Sequence, residues 1–142
     1  MLQSNAHWQW FVAKCSKLTD RLRYSPESVF DTFPWPQSPR VEQIEAVAEA
    51  GREVRRVRGE ALEEIKGGLR AVYRTLELPG KNPLKDAHAA LDAAVLPAYG
   101  FSAKDDLLAQ FLALNLDVAT RIDAGEHVAA PVSHQRILIP RD

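Results

Sequence analysis

Apolar side chains recur along this chain at three- and four-residue steps, the period of helices that bury one face. Near the start, Trp8, Phe11, Val12, Cys15 and Leu18 form such a stripe, and Ser4 or Asn5 stands where an N-cap belongs. A first helix is therefore predicted over residues 5–19. The period then breaks. Between residues 20 and 39, Pro26, Pro34, Pro36 and Pro39 forbid a continuous helix and push the residues before them towards extended geometry. Tyr24, Phe30, Phe33 and Trp35 are too many large apolar groups for a solvated linker, so this stretch is predicted to be an ordered connector packed on the helices. It has room for a short strand at residues 22–24 or 28–30.

Beyond Pro39 the helical period returns. Val41, Ile44, Val47, Ala48, Val54, Val57, Ala61, Leu62 and Ile65 share one stripe, which predicts a long helix. Gly67 and Gly68 should break or kink it before a continuation through Leu69, Val72, Tyr73 and Leu76. Asn82 and Pro83 then read as cap and first residue of a helix whose face is Leu84, Ala87, Leu91, Val95 and Ala98, ending at Gly100. Ser102 is placed to cap a last helix carrying Leu107, Leu108, Phe111, Leu112, Leu114, Val118 and Ile122, with its stop at Gly125. Behind it comes a tail in which Pro131 and Pro140 flank Ile137, Leu138 and Ile139, either a loose end or an edge strand.

The expected fold is mainly α: a bundle of four to five helices with a proline- and aromatic-rich connector and space for one short strand pair. Residues 1–39, 40–125 and 126–142 read as helix plus connector, helical region and tail, together one compact unit.

Composition narrows the function classes without choosing one. An apolar share of 46% and a charged share of 26% are ordinary for a folded globular chain, and a formal charge of −1 argues against a protein that binds nucleic acid through its whole surface. A DNA contact would need a local patch. The single cysteine, Cys15, leaves no intrachain disulfide and no Cys-rich zinc site, in keeping with a reducing cytoplasm, and is best read as a buried helix cysteine. No stretch approaches the roughly 20 apolar residues that span a bilayer, and the start shows no signal-peptide order, so a cytoplasmic protein with no membrane role is expected. The chain enters a patterned helix almost at Met1, as a piece cut from something longer would.

Some residues go beyond what composition predicts. They are His7-Trp8 and Trp10, then Arg23-Tyr24-Ser25, then Val29-Phe30-Asp31-Thr32-Phe33-Pro34-Trp35-Pro36. This order resembles type II restriction-modification enzymes in which one chain carries an adenine-specific DNA methyltransferase, a target-recognition domain and a helical C-terminal region. The Phe-Pro-Trp-Pro element at Phe33, Pro34, Trp35 and Pro36 looks like the close of that recognition domain, with Phe30 as part of the same structural motif. Asn82-Pro83-Leu84-Lys85-Asp86-Ala87-His88, Leu91-Asp92, Ala94-Val95 and Tyr99-Gly100-Phe101 look like the helical region behind it. The resemblance thus runs from about Ser4 to about Val128.

Such enzymes hold S-adenosylmethionine in a glycine-rich loop and the target adenine with an Asn or Asp followed by Pro-Pro and an aromatic. Neither motif is in this sequence, and no alternation of strands and helices is present to build a cofactor fold. The resemblance therefore implies a non-catalytic end of a DNA methyltransferase, with no cofactor or catalytic residue of its own. Its partners would be DNA, and a methyltransferase catalytic subunit or a second copy of itself. A stand-alone helical interaction protein is the alternative.

Candidate DNA contacts fall in two places. Arg21, Arg23 and Tyr24 precede the connector, where the resemblance puts DNA; a guanidinium fork and a phenol face suit phosphate or base contact. Equally, Tyr24 could pack while the arginines only solubilise. Arg52, Arg55 and Arg56 lie close together on the long helix, with Arg58, Arg70 and Arg74 nearby, and could meet phosphates. The plainer reading is a solvated face paired with Glu49, Glu53, Glu60 and Glu63.

Other candidates are weaker. His88 and Asp92 are four apart on a helix, which suits a metal but more simply predicts a hydrogen bond between them. His7, His127 and His134 stand apart and point nowhere. Ser25, Ser28 and Ser102 sit where caps and turns explain them. Trp8 and Trp10, two apart, cannot both point inward from one helix, so one of them is expected on the surface or against a neighbour.

Overall fold

A computed structural model describes residues 1–17 and 22–129. Arg21 and the apolar run Ile137, Leu138, Ile139 lie outside the described residues. The chain forms α1 (Asn5–Lys14), a two-strand hairpin of β1 (Ser16–Lys17) and β2 (Leu22–Arg23), a π-helical turn at Pro26–Phe30, then α2 (Val41–Glu64), α3 (Gly68–Arg74), a 3-10 turn at Thr75–Glu77, α4 (Pro83–Tyr99) and α5 (Leu107–Asp123). It is the mainly α bundle the period predicts, with a proline- and aromatic-rich connector between α1 and α2.

The centre of the bundle is α2 against α4. Val54 and Val57 of α2 face Leu84, Ala87, Leu91 and Val95 of α4 in one buried cluster. Gln43, early in α2, donates to the carbonyl of Pro97, late in α4, at 2.7 Å, so the two helices run antiparallel. The Asn82 side chain accepts from the amides of Leu84 and Lys85, and Gly100, at φ 70°, closes α4 in the left-handed conformation that glycine adopts without steric cost. Gly67 separates α2 from α3: its φ is 120°, and a Cβ there would sit 2.9 Å from Cβ of Ala71.

Four expectations are corrected. The first helix stops at Lys14, not near residue 19, because Cys15 turns to extended geometry and the chain enters the hairpin; Cys15 is half-buried just past the helix. The buried face of α1 is Ala6, His7 and Trp10, while Trp8 and Val12 are exposed. The apolar count favoured the other stripe, but only Trp10 reaches both the aromatic core and a partner for its indole N–H, the hydroxyl of Thr32 at 3.2 Å. Asp106, not Ser102, caps α5, accepting from the amide of Ala109 at 2.6 Å. Ser102 is held instead by Gln110, which bonds both its amide and its carbonyl. Residues 28–30 are not a strand: Asp31 donates to the carbonyl of Pro26 and closes a π turn.

The connector is the hub that joins α1 to the bundle. Phe33 is 1% exposed, and its ring meets His7, Trp10, Trp35, Tyr99 and Phe111 at centroid separations of 4.7 to 6.4 Å. Pro34 and Pro36 are buried beside it, Trp35 and Phe30 partly so, their rings 6.3 Å apart. Two long-range hydrogen bonds pin its backbone: Tyr99 donates to the carbonyl of Pro34 at 2.9 Å, and Asn115 to that of Thr32 at 2.8 Å. Prolines provide no N–H to satisfy, so helices on either side can bury this extended stretch by reaching only for its carbonyls.

Candidate nucleic-acid interface

The hairpin pairs Ser16 with Arg23 and Lys17 with Leu22, which presents Leu22, Arg23 and Tyr24 on the surface. Tyr24 is 45% exposed and folds back on α1: its hydroxyl lies 3.3 Å from Nε2 of His7, and its ring 5.5 Å from that of Phe11. Phe11 in turn lies 5.4 Å from Trp8, the tryptophan left outside. Leu2, Gln3, Ser4, His7, Trp8, Phe11 and Tyr24 line a hollow of about 500 Å³, open to solvent.

A second hollow of about 300 Å³ lies next to it. Leu2 and Gln3 line both, and across the second the chain meets α2 at Val47, Ala48, Gly51, Arg52 and Arg55. Tyr24 on one side and Arg52 and Arg55 on the other therefore line two hollows that share Leu2 and Gln3, in the segment that precedes α1. That juxtaposition is not visible in the sequence, where the two groups are about thirty positions apart.

The arginines of α2 divide. Arg56 is bound to Glu53 through two hydrogen bonds, at 2.8 and 2.6 Å, and to Glu60 as well, and these carboxylates hold its guanidinium far above its ordinary pKa. Arg52 and Arg55 make no ion pair or hydrogen bond among the described residues. Arg70 and Arg74 are exposed on α3, away from both hollows.

His7, which the sequence offered as part of the resemblance but not as a site, sits at the junction. It is buried, and that burial lowers its pKa, so the ring is neutral at pH 7 and shares a hydrogen bond with the phenol. Burial also raises the pKa of Tyr24, with the charge of Asp31 adding to it, which keeps the phenol protonated. The one available clue was the spacing of Trp8 and Trp10: if Trp10 is inside, Ala6 and His7 follow it inward, and Trp8 and Phe11 become the neighbours of whatever comes next.

His88 and Asp92 do not bond each other. His88 Nε2 faces the hydroxyl of Tyr73 at 3.2 Å, and Asp92 accepts from the amide of Asn5 at 2.7 Å, so a carboxylate from α4 caps the start of α1. The hydroxyl of Ser4, expected in that role, donates to the carbonyl of Met1. Among the described residues no group of three His, Cys, Asp or Glu is placed to hold a metal ion, and no helix is long and apolar enough to cross a membrane.

Comparison with known proteins takes in this end of the chain. Residues 1–37 match the family model of the MmeI target recognition domain, ending one residue beyond Pro36. No curated protein matches the chain. Among solved structures, the Type IIL restriction-modification enzyme MmeI in complex with DNA superposes with a TM-score of 0.69, at 28% identity, over 82% of this chain and 15% of that one. The chain thus spans a small part of that enzyme's length. As the string ending in Phe33-Pro34-Trp35-Pro36 implied, this chain resembles the recognition-domain region of a restriction-modification enzyme.

Proposed function

We propose that the chain is a non-catalytic DNA-recognition piece of a restriction-modification enzyme, which assists DNA binding or completes an enzyme whose methyltransferase part is a separate subunit. The observation that carries this reading is the match of residues 1–37 to a target recognition domain, over the stretch that forms the hairpin and its aromatic support. On this reading residues 1–39 are the end of the recognition region and residues 40–125 the helical region that braces it. Arg23 and Tyr24 are its DNA contacts, the first as a forked donor and the second as a ring half exposed beside it. Arg21, four residues beyond Lys17, joins them by its place in the sequence. S-adenosylmethionine would be held by the partner subunit, since this sequence has no glycine-rich loop for it.

The direct test is binding of the 142-residue chain to labelled duplex DNA at low and moderate salt. Binding that weakens as salt rises is expected. Failure to bind in either buffer, alone and with a methyltransferase subunit added, would remove the reading.

One observation favours the alternative, a helical protein that associates with itself. Val41 and Ile44 are 65% and 53% exposed at the start of α2, beside an apolar hollow lined by Trp35, Pro36, Pro39 and Val47. Sedimentation decides it: a strict monomer at micromolar concentration rules out self-association through this surface.

A further inference from the structure

The charges of α2 are sorted, not mixed. At about 100° per residue, every glutamate from Glu42 to Glu64 falls within one sector on one side of the helix axis. Arg55 and Arg58 fall on the other flank of the exposed surface, with Ile44, Ala48 and Gly51, and Arg52 lies between the two flanks. Arg56 alone falls among the glutamates, where Glu53 and Glu60 hold it. A helix whose charges serve only solubility gains from interleaving them, because glutamate and arginine three or four apart pair as these three do. Arg55 has no carboxylate three or four residues away on its own helix, and Arg52, three residues beyond Glu49, makes no ion pair with it among the described residues.

Among the described residues the hollow beside them does not neutralise them either. The hollow beside Arg52 and Arg55 is lined by Met1, Leu2, Gln3, Val47, Ala48, Gly51 and Leu91, with no acidic side chain among them. That hollow shares Leu2 and Gln3 with the one beneath Tyr24, so two cations that are unpaired among the described residues stand one hollow away from the residue that follows the hairpin. A partner that fits is a polyanion long enough to touch both hollows. Duplex DNA is such a partner, with a phosphate charge every ~1.7 Å of helix axis.

We propose that Arg52 and Arg55 form a sequence-independent clamp on the phosphate backbone of the duplex whose bases meet the hairpin, and that Arg56 takes no part in it. This rests on the DNA-recognition reading above. The clamp would hold the duplex in register without reading it, and the hairpin would carry the discrimination.

The experiment is a salt titration of binding to two duplexes of unrelated sequence, using the whole chain and three variants. Each lost phosphate contact lowers the slope of log K against log salt by about 0.9, so R52A/R55A is expected to lower it by about 1.8, equally on both duplexes. R52K/R55K should keep the slope, since a lysine ammonium also neutralises a phosphate, and R56A should leave it unchanged. Circular dichroism of each variant shows that α2 is intact, as expected for exposed positions changed to good helix formers. A wild-type slope in R52A/R55A, with DNA binding otherwise normal, overturns the clamp and leaves the recognition reading standing. An equal loss of slope in R56A also overturns it, because the effect would then be one of net charge. If R52A/R55A changes sedimentation of the chain but not the slope, the flank is a protein-binding surface and the clamp is wrong. No DNA binding by the wild-type chain removes the clamp together with the reading beneath it.

Discussion

The hydroxyl of Tyr24 lies 3.3 Å from Nε2 of His7, and this contact ties the exit of the hairpin to the buried face of α1. His7 meets Phe33 edge-on at 4.7 Å, and Phe33 is the centre of the connector. An exposed residue beside Arg23 is thereby joined in two steps to the aromatic core. The hairpin is two residues long on each side, too short to hold itself in water, and the tyrosine is what orients its base.

Replacing Tyr24 with phenylalanine keeps the ring and removes the bond. Because the phenol is half exposed, the cost to global stability should be small, about 0.5 to 1 kcal/mol in a urea titration. DNA affinity should fall by more than that change in stability explains, since the hairpin loses its anchor. Equal losses in the two measurements would show that the contact is merely structural.

His7 makes stability depend on pH. Its folded pKa lies below the unfolded value of 6.5, so the unfolded chain takes up the proton first as pH falls. The stability this residue contributes is complete above about pH 6.5 and is lost as pH drops through the folded value. Urea midpoints measured from pH 7.5 down to 5 should therefore decline, and His7→Gln should flatten that decline.

Trp8 and Trp10 should answer oppositely to truncation. Trp10 is fully buried and bonded to Thr32, so Trp10→Ala should cost about 3 to 5 kcal/mol and leave little folded protein at 37 °C. Trp8 is 56% exposed, and Trp8→Ala should change stability by no more than about 0.5 kcal/mol while weakening DNA binding. A large stability loss at Trp8 would place the helix face the other way round.

Tyr99 tests the connector from the opposite side. Its phenol is buried, which pushes its pKa well above the usual tyrosine value, and it donates to the carbonyl of Pro34. Tyr99→Phe leaves that carbonyl without this donor in an apolar setting, at a cost of about 1 to 3 kcal/mol by chemical denaturation.

Helices were legible because their signals are local. Asn82-Pro83 at one end of α4 and Gly100 at the other, and the glycine pair at 67 and 68, act within a turn of the chain. What the sequence hid was non-local. The cap of α1 is Asp92, 87 positions away, and no rule of spacing finds it. The face of α1 was misjudged for the same reason: its stripe is chosen by Thr32, Phe33 and Phe111, not by its own count of apolar residues. Tyr24 and Arg55 likewise line neighbouring hollows only because Leu2 and Gln3 belong to both. Arg56 differs from Arg52 and Arg55 by a local signal, Glu53 three residues before it and Glu60 four after.

The central claim is that this chain holds DNA through the hairpin surface. Fluorescence anisotropy of a labelled duplex, titrated with the chain and with a variant carrying Arg23→Ala and Tyr24→Ala, measures it most directly. Salt-sensitive binding by the chain is expected and, at one fixed salt, at least about fivefold weaker binding by the variant, the loss that follows when a forked guanidinium contact worth about 1 to 3 kcal/mol is removed. Equal affinity of the two proteins for the same duplex would contradict it.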